Sequence, residues 1–115
     1  MLTSTEELGV DDPATAARLF KALADPIRVR LVTLIRQTTG QEACFCDLAG
    51  EFDMPQSSLS HHLKILVTAG VLHRERRGTW SWYRIDHHAL DTMAQLLSPG
   101  GPLRDTPRTS NACCD

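Results

Sequence analysis

Apolar residues recur along most of this chain at helical spacing, and the breaks fall where helices start and stop. In residues 13–24, PATAARLFKALA, the side chains of Ala16, Leu19, Phe20 and Leu23 share one face. Asp12 precedes them as a capping residue, and Pro13 suits the first helical position. The same start signal, Asp25-Pro26, opens DPIRVRLVTLIRQ, where Ile27, Leu31, Leu34 and Ile35 recur until TTGQE interrupts them. A third, short helix is predicted over about Asp47–Phe52, with Leu48 and Phe52 on one side and Met54-Pro55 beyond its end. A fourth runs from about Gln56 to Ala69 on a stripe of Leu59, Leu63, Leu66 and Val67. Gly70 stands where a left-handed terminating residue belongs.

The period then changes. In VLHRERRGTWSWYRID, two stretches rich in β-formers flank RRGT, which predicts a hairpin turning near Gly78. Trp80 and Trp82 fall on one face of its second strand, and Tyr83 and Ile85 on the other. Asp86 opens a fifth helix with an apolar stripe of Leu90, Met93, Leu96 and Leu97. From Ser98 the chain is rich in Pro, Gly, Ser and Thr and reads as a flexible tail, so the expected division is a domain over 1–97 and a tail over 98–115. A very short turn at Asp53-Met54-Pro55 joins helices three and four, and a basic hairpin follows. The expected fold class is therefore α+β, mainly helical: a winged helix-turn-helix of about five helices with a two-stranded β wing.

Length and composition set limits on this picture. The chain has 115 residues and an ordinary apolar fraction of 42%, which fits one small globular domain. No apolar run approaches the roughly 18 residues that span a bilayer, and MLTSTEELGV lacks the basic and apolar regions of a secretory signal. A cytoplasmic setting, with no membrane partner and reduced thiols, is the expectation. No nucleophile–base pair or phosphate loop appears, so an enzyme is not expected.

The net charge of −2 does not suggest nucleic acid, but its distribution does. Residues 1–55 carry five Lys/Arg against nine Asp/Glu, and residues 86–115 carry two against four. Residues 56–85 carry Lys64, Arg74, Arg76, Arg77 and Arg84 against Glu75 alone, a local balance of +4. If Leu59 and Leu63 face the core, Gln56, Ser57, Ser58, Ser60, His61 and Lys64 lie toward solvent near the start of helix four. Short hydrogen-bonding side chains there suit base edges, and Lys64 suits phosphate. Arg76 and Arg77, beside Gly78, suit an adjacent groove or the backbone. The expected partner is double-stranded DNA.

Four cysteines remain: Cys44 and Cys46 in EACFCD, and Cys113 and Cys114 in NACCD. Disulfides, buried packing residues and a soft-metal site are the competing explanations. Thiolates select soft or borderline ions over magnesium or calcium. A helix N-terminus is expected to lower the thiol pKa at Cys44 and Cys46. On an ideal helix, residues two apart point about 200° apart. Both sulfurs then meet one ion only if Cys44 leaves helical geometry, and unwinding of the helix start is the expected coupling to DNA.

The segments LFKALADPIRVRLVTLI, CFCDLA, QSSLSHHLKILVTAGVL and RRGTWSWYRI resemble the ArsR/SmtB family of metalloregulatory winged-helix repressors over about residues 14–97. The resemblance implies a homodimer, built through the first and last helices, that represses transcription by holding an operator. It also implies a sensing site at the Cys-x-Cys of the third helix, matched by Cys44 and Cys46. Arsenic sensors with that box often carry a third cysteine three residues on, where this chain has Ala49. The tail can supply the missing sulfur. The 16 residues from Leu97 to Cys113 span about 50 Å extended and roughly 20–24 Å as a coil. The inducer implied is As(III) or Sb(III), held by Cys44, Cys46 and one or both of Cys113 and Cys114. The alternatives are Cd(II) or Pb(II) on four thiolates, or a thiol redox switch. A family zinc site on the last helix is matched only in its first half, by Asp86 and His88, with Pro99 where a partner belongs. Asp86 therefore reads as a helix cap, and His87 and His88 as surface residues.

Overall fold

The computed structural model describes residues 12–99. The elements in chain order are α1 (Pro13–Leu23), α2 (Pro26–Arg36), a 3-10 turn (Thr39–Gln41), β1 (Glu42–Cys44), α3 (Phe45–Ala49), α4 (Gln56–Ala69), β2 (Leu72–Arg77), β3 (Trp80–Ile85) and α5 (His87–Leu97). The two Asp-Pro starts act as the sequence suggests. An Asp12 carboxylate oxygen accepts the Ala14 N–H at 3.2 Å, and Asp25 accepts that of Ile27 at 2.8 Å. The Thr15 hydroxyl and then the Ala14 N–H hold the Asp12 carboxyl below the usual range, and the Ile27 N–H does the same for Asp25.

The core lies between α2, α4 and the sheet. Leu31 and Ile35 of α2, Leu59, Leu63 and Leu66 of α4, and Val71, Leu72 and Ile85 around the hairpin are fully buried. Each such side chain contributes about 1.5–3 kcal/mol of transfer free energy. The face of α4 opposite these leucines is thereby turned outward. Its C-terminus is closed by Gly70 at φ +94°, with the Val71 N–H donating to Leu66 O at 2.9 Å and the Gly70 N–H to Val67 O at 3.0 Å. A side chain at that φ would be strained, which is why glycine stands there.

β2 and β3 form the wing, antiparallel from Leu72↔Ile85 to Arg77↔Trp80 around the two-residue loop Gly78-Thr79. Tyr83 and Ile85 are buried while Trp80 is exposed, the alternation expected from the sequence. Two features differ from expectation. The wing carries a third strand: β1 pairs antiparallel with β3, giving the order β1-β3-β2. The short helix runs over Phe45–Ala49 and not about Asp47–Phe52. The cause is common to both. Pairing with β3 holds the chain extended as far as Cys44 (φ −87°, ψ 156°), and the helix starts as soon as pairing ends. The link to α4 is consequently longer, residues 50–55, and anchored by buried Phe52, over which the Arg30 guanidinium stacks at 4.7 Å.

Candidate nucleic-acid interface and thiol corner

The outer face of α4 carries what the sequence placed there. Gln56, Ser57, Ser58, Ser60, His61 and Lys64 are all exposed, while Leu59 and Leu63 beside them are 1% and 0% exposed. No side chain caps the N-terminus of α4, where Pro55 precedes Gln56. His62 is turned differently. Its Nδ1 lies 3.1 Å from Arg28 Nη1, and Arg28 Nε donates to Ala22 O at 2.5 Å, so Arg28 ties the end of α1 to α4.

The two wing arginines differ in their surroundings. Arg76 is exposed near the tip, with Nε 3.4 Å from Gly78 O. Arg77 is engaged: it donates to both carboxylate oxygens of Glu42 at 3.3 and 2.6 Å and to Glu75 at 2.8 Å. Its guanidinium also lies 4.5 Å above the Trp82 ring. The Glu42 hydrogen bond, then that of Glu75, raises the Arg77 pKa, and Arg77 in turn lowers that of Glu42. Arg77 thus latches the wing to β1, and Arg76 is the more available cation.

The thiol corner lies at the end of β1. Cys44 is buried and faces Trp82 in the β1–β3 register, while Cys46 is exposed in the first turn of α3. Their sulfurs and an Asp47 carboxylate oxygen all lie within 4.8 Å of one another. Cys44 is already extended, so the two sulfurs converge without any unwinding of the helix. The expected unwinding is therefore replaced by convergence built into the strand-to-helix junction. The expected lowering of thiol pKa is also corrected at Cys46, which is raised by the hydrogen bond with Cys44, by burial and by the nearby Asp47 charge. The five-residue α3 has too little helix to offset these effects. Cys113 and Cys114 lie outside the described residues.

Phe45, which separates the two cysteines in sequence, is half-buried. It lines a cleft of about 280 Å³ with Ser60 of α4 and with Arg74, Trp80 and Ser81 of the wing. The corner therefore adjoins both the outer face of α4 and the wing. Asp47 was missed by sequence reasoning; its place directly after Cys46 is the one signal that marks it. On the far side of the wing, Asp86 caps α5, accepting from the Ala89 N–H at 2.8 Å, and meets His73 Nε2 at 2.7 Å. Its role as a cap agrees with the sequence, and His87 and His88 are exposed.

The donor set fits a soft or borderline ion: two sulfurs, with one harder oxygen at the edge. Among the described residues, no helix is long and apolar enough to cross a membrane. Residues 25–74 match the family model described as bacterial regulatory protein, arsR family. An uncharacterized HTH-type transcriptional regulator of Methanocaldococcus jannaschii is 39% identical over 82 residues, covering 71% of this chain and 90% of that one. The arsenical resistance operon repressor of Bacillus subtilis is 43% identical over 74 residues, covering 64% of this chain and 69% of that one. A homodimeric winged helix-turn-helix DNA-binding domain from Mycobacterium bovis superposes with a TM-score of 0.61 at 28% identity, covering 70% of this chain and 73% of that one.

Proposed function

This chain belongs to the arsR family of bacterial regulatory proteins, a family of transcriptional regulators and not of enzymes, and from that premise we propose that it is a homodimeric repressor, releasing operator DNA when Cys44 and Cys46 take up trivalent arsenic or antimony. The observation that carries the reading is the convergence of Cys44, Cys46 and Asp47 within 4.8 Å at the foot of the wing. On DNA, Gln56, Ser57, Ser58, Ser60 and His61 read base edges in the major groove, while Lys64 and Arg76, with Arg77 once its latch opens, meet phosphate. The dimer is built through α1 and α5, and the exposed Leu97 at the end of α5 is consistent with a partner there.

Cys44 and Cys46 would hold the ion, with Cys113 or Cys114 of the 98–115 tail completing a three-sulfur set. When bound, trivalent arsenic supplies three positions that take thiolate sulfur, each replacing a thiol proton. The protein's own part is to turn a small movement at the corner into a larger one at the DNA face. Adding a third sulfur to the pair already converged would shift the corner that carries Phe45, which lines the cleft with Ser60 and Trp80. Any shift of β1 is passed to β3 through Cys44↔Trp82 and to the wing tip through Glu42–Arg77. A coupling free energy of about 1–3 kcal/mol is the usual scale for such linkage.

The Asp47 carboxylate favours a second reading, in which Cd(II) or Pb(II) is held by thiolates with this oxygen nearby. Fluorescence anisotropy of the reduced dimer on labelled DNA from upstream of its own gene, titrated separately with arsenite, cadmium and zinc, separates the two. Release by arsenite near one equivalent per site, lost in Cys46→Ser and in Cys113→Ser/Cys114→Ser, is expected. Release by cadmium with arsenite silent sinks the arsenic reading. Release by peroxide alone, reversed by reductant, leaves only a redox switch.

A further inference from the structure

The basic charge of this molecule is larger in space than along the chain. Of the five Lys/Arg in the acidic first half, three fold against α4: Arg18 and Lys21 of α1 and Arg28 of α2. With His61, Lys64 and Thr68 of α4 they border a groove of about 510 Å³ whose floor is Ala22, Ile65 and Ala69. Among the described residues, no Asp or Glu lines this groove. Arg18, Lys21, Arg28 and Lys64 therefore place four cations around one depression, and among the described residues none of them forms an ion pair with a carboxylate.

We propose that the Arg18–Lys21 edge of α1 is a second DNA-backbone contact, flanking the reading helix along His61 and Lys64, apart from the Ser60 cleft that meets the wing. The proposal rests on the DNA-binding reading above and extends it to an element outside the helix-turn-helix and wing. His61 and Lys64 belong both to the outer face of α4 and to the groove, so the two surfaces are continuous. A helix seated in a major groove has a phosphate strand on each side. The wing addresses one strand, and a cationic strip on α1 is placed to address the other. Arg28 has a different part. Bonded to Ala22 O and His62, it fixes the distance between α1 and α4, which makes it a positioning residue for the strip. The side chains of Arg18 and Lys21 are exposed, and their loss leaves no buried group unpaired.

The test is anisotropy of the full-length dimer on two duplexes, its own upstream DNA and a random sequence of equal length, across a series of salt concentrations. Each phosphate contact contributes about 0.9 to the slope of log K against log salt. Arg18→Ala/Lys21→Ala removes two contacts in each of two subunits, so the slope becomes shallower by roughly 3–4. Affinity at physiological salt falls about tenfold or more on both duplexes alike, because phosphate contacts carry no sequence information. Arg18→Lys/Lys21→Arg retains wild-type slope and affinity, which a merely structural role for these side chains would not require. Sedimentation checks the assembly state; Lys21→Ala alone carries the test if the double variant changes it, with a slope loss of about 1.8. An unchanged slope in a variant that still dimerises overturns the proposal while leaving the DNA-binding reading intact. A wild-type chain that binds neither duplex at low salt overturns both.

Discussion

α4 and the β1–α3 corner meet across one cleft but are built in opposite ways. α4 has 14 residues, three fully buried leucines and a glycine-closed C-terminus. The corner has a three-residue strand and a five-residue helix with no side-chain cap, and its one deeply buried helical side chain is Leu48. In the proposed function α4 must keep its side chains in register with base edges, and its anchoring to the core suits that part. A responding element must shift under a few kcal/mol, so it belongs to the low-stability end of the molecule. The contrast assigns rigidity and responsiveness to different segments, and leaves Phe45, Cys44↔Trp82 and Glu42–Arg77 to join them.

The largest expected effect comes from attacking the anchor of α4. Leu63→Ala should cost about 2–5 kcal/mol in denaturant unfolding and weaken DNA binding and inducer response together. Gly70→Ala follows, at roughly 1–2 kcal/mol, because a β-carbon at φ +94° is strained even with open space around it. Gly70→Ala should leave thiol uptake at the corner largely intact, since a β-carbon there has nothing within 4 Å.

Acid should act more gradually. Burial pushes the Asp86 carboxyl up, but the Ala89 N–H and His73 together outweigh it, so its pKa is lowered. Asp12, Asp25 and Glu42 are lowered as well. A carboxylate with a depressed folded pKa contributes stability that is present above its unfolded value, near 4, and is lost as pH falls through the folded one. Melting temperature should therefore hold from pH 7 to about 5 and decline below about 4. A flat profile down to pH 3 would contradict these assignments.

The smallest effect on stability, and the sharpest on the comparison, is expected from Glu42→Gln. It weakens the Arg77 latch without touching the core, so melting should barely move. DNA release should then need more inducer, because β1 loses one of its links to the wing tip. An unchanged release midpoint would remove the latch from the coupling path.

Much of this arrangement was legible in the sequence because its signals are local. Asp12-Pro13 and Asp25-Pro26 mark helix starts, Gly70 a helix end, Gly78 a turn, and the leucines of α4 define which face is turned outward. What was not legible depends on partners distant in the chain. Glu42–Cys44 has no strand pattern of its own and is extended only because Trp82–Arg84 lies beside it. That pairing moved the start of α3 and brought the two sulfurs together without unwinding. The cationic strip of Arg18 and Lys21 is likewise invisible in a segment whose overall charge is negative.

Linkage gives the most direct measurement of whether corner and reading helix act as one system. Arsenite affinity of the reduced dimer should be determined free and saturated with its upstream DNA. Energetic coupling is reciprocal, and the account predicts that DNA weakens arsenite binding by about 5- to 150-fold, matching the factor by which arsenite weakens DNA binding. Equal arsenite affinity with and without DNA would contradict it, showing that the thiol corner holds its ion without reporting to the helix that reads.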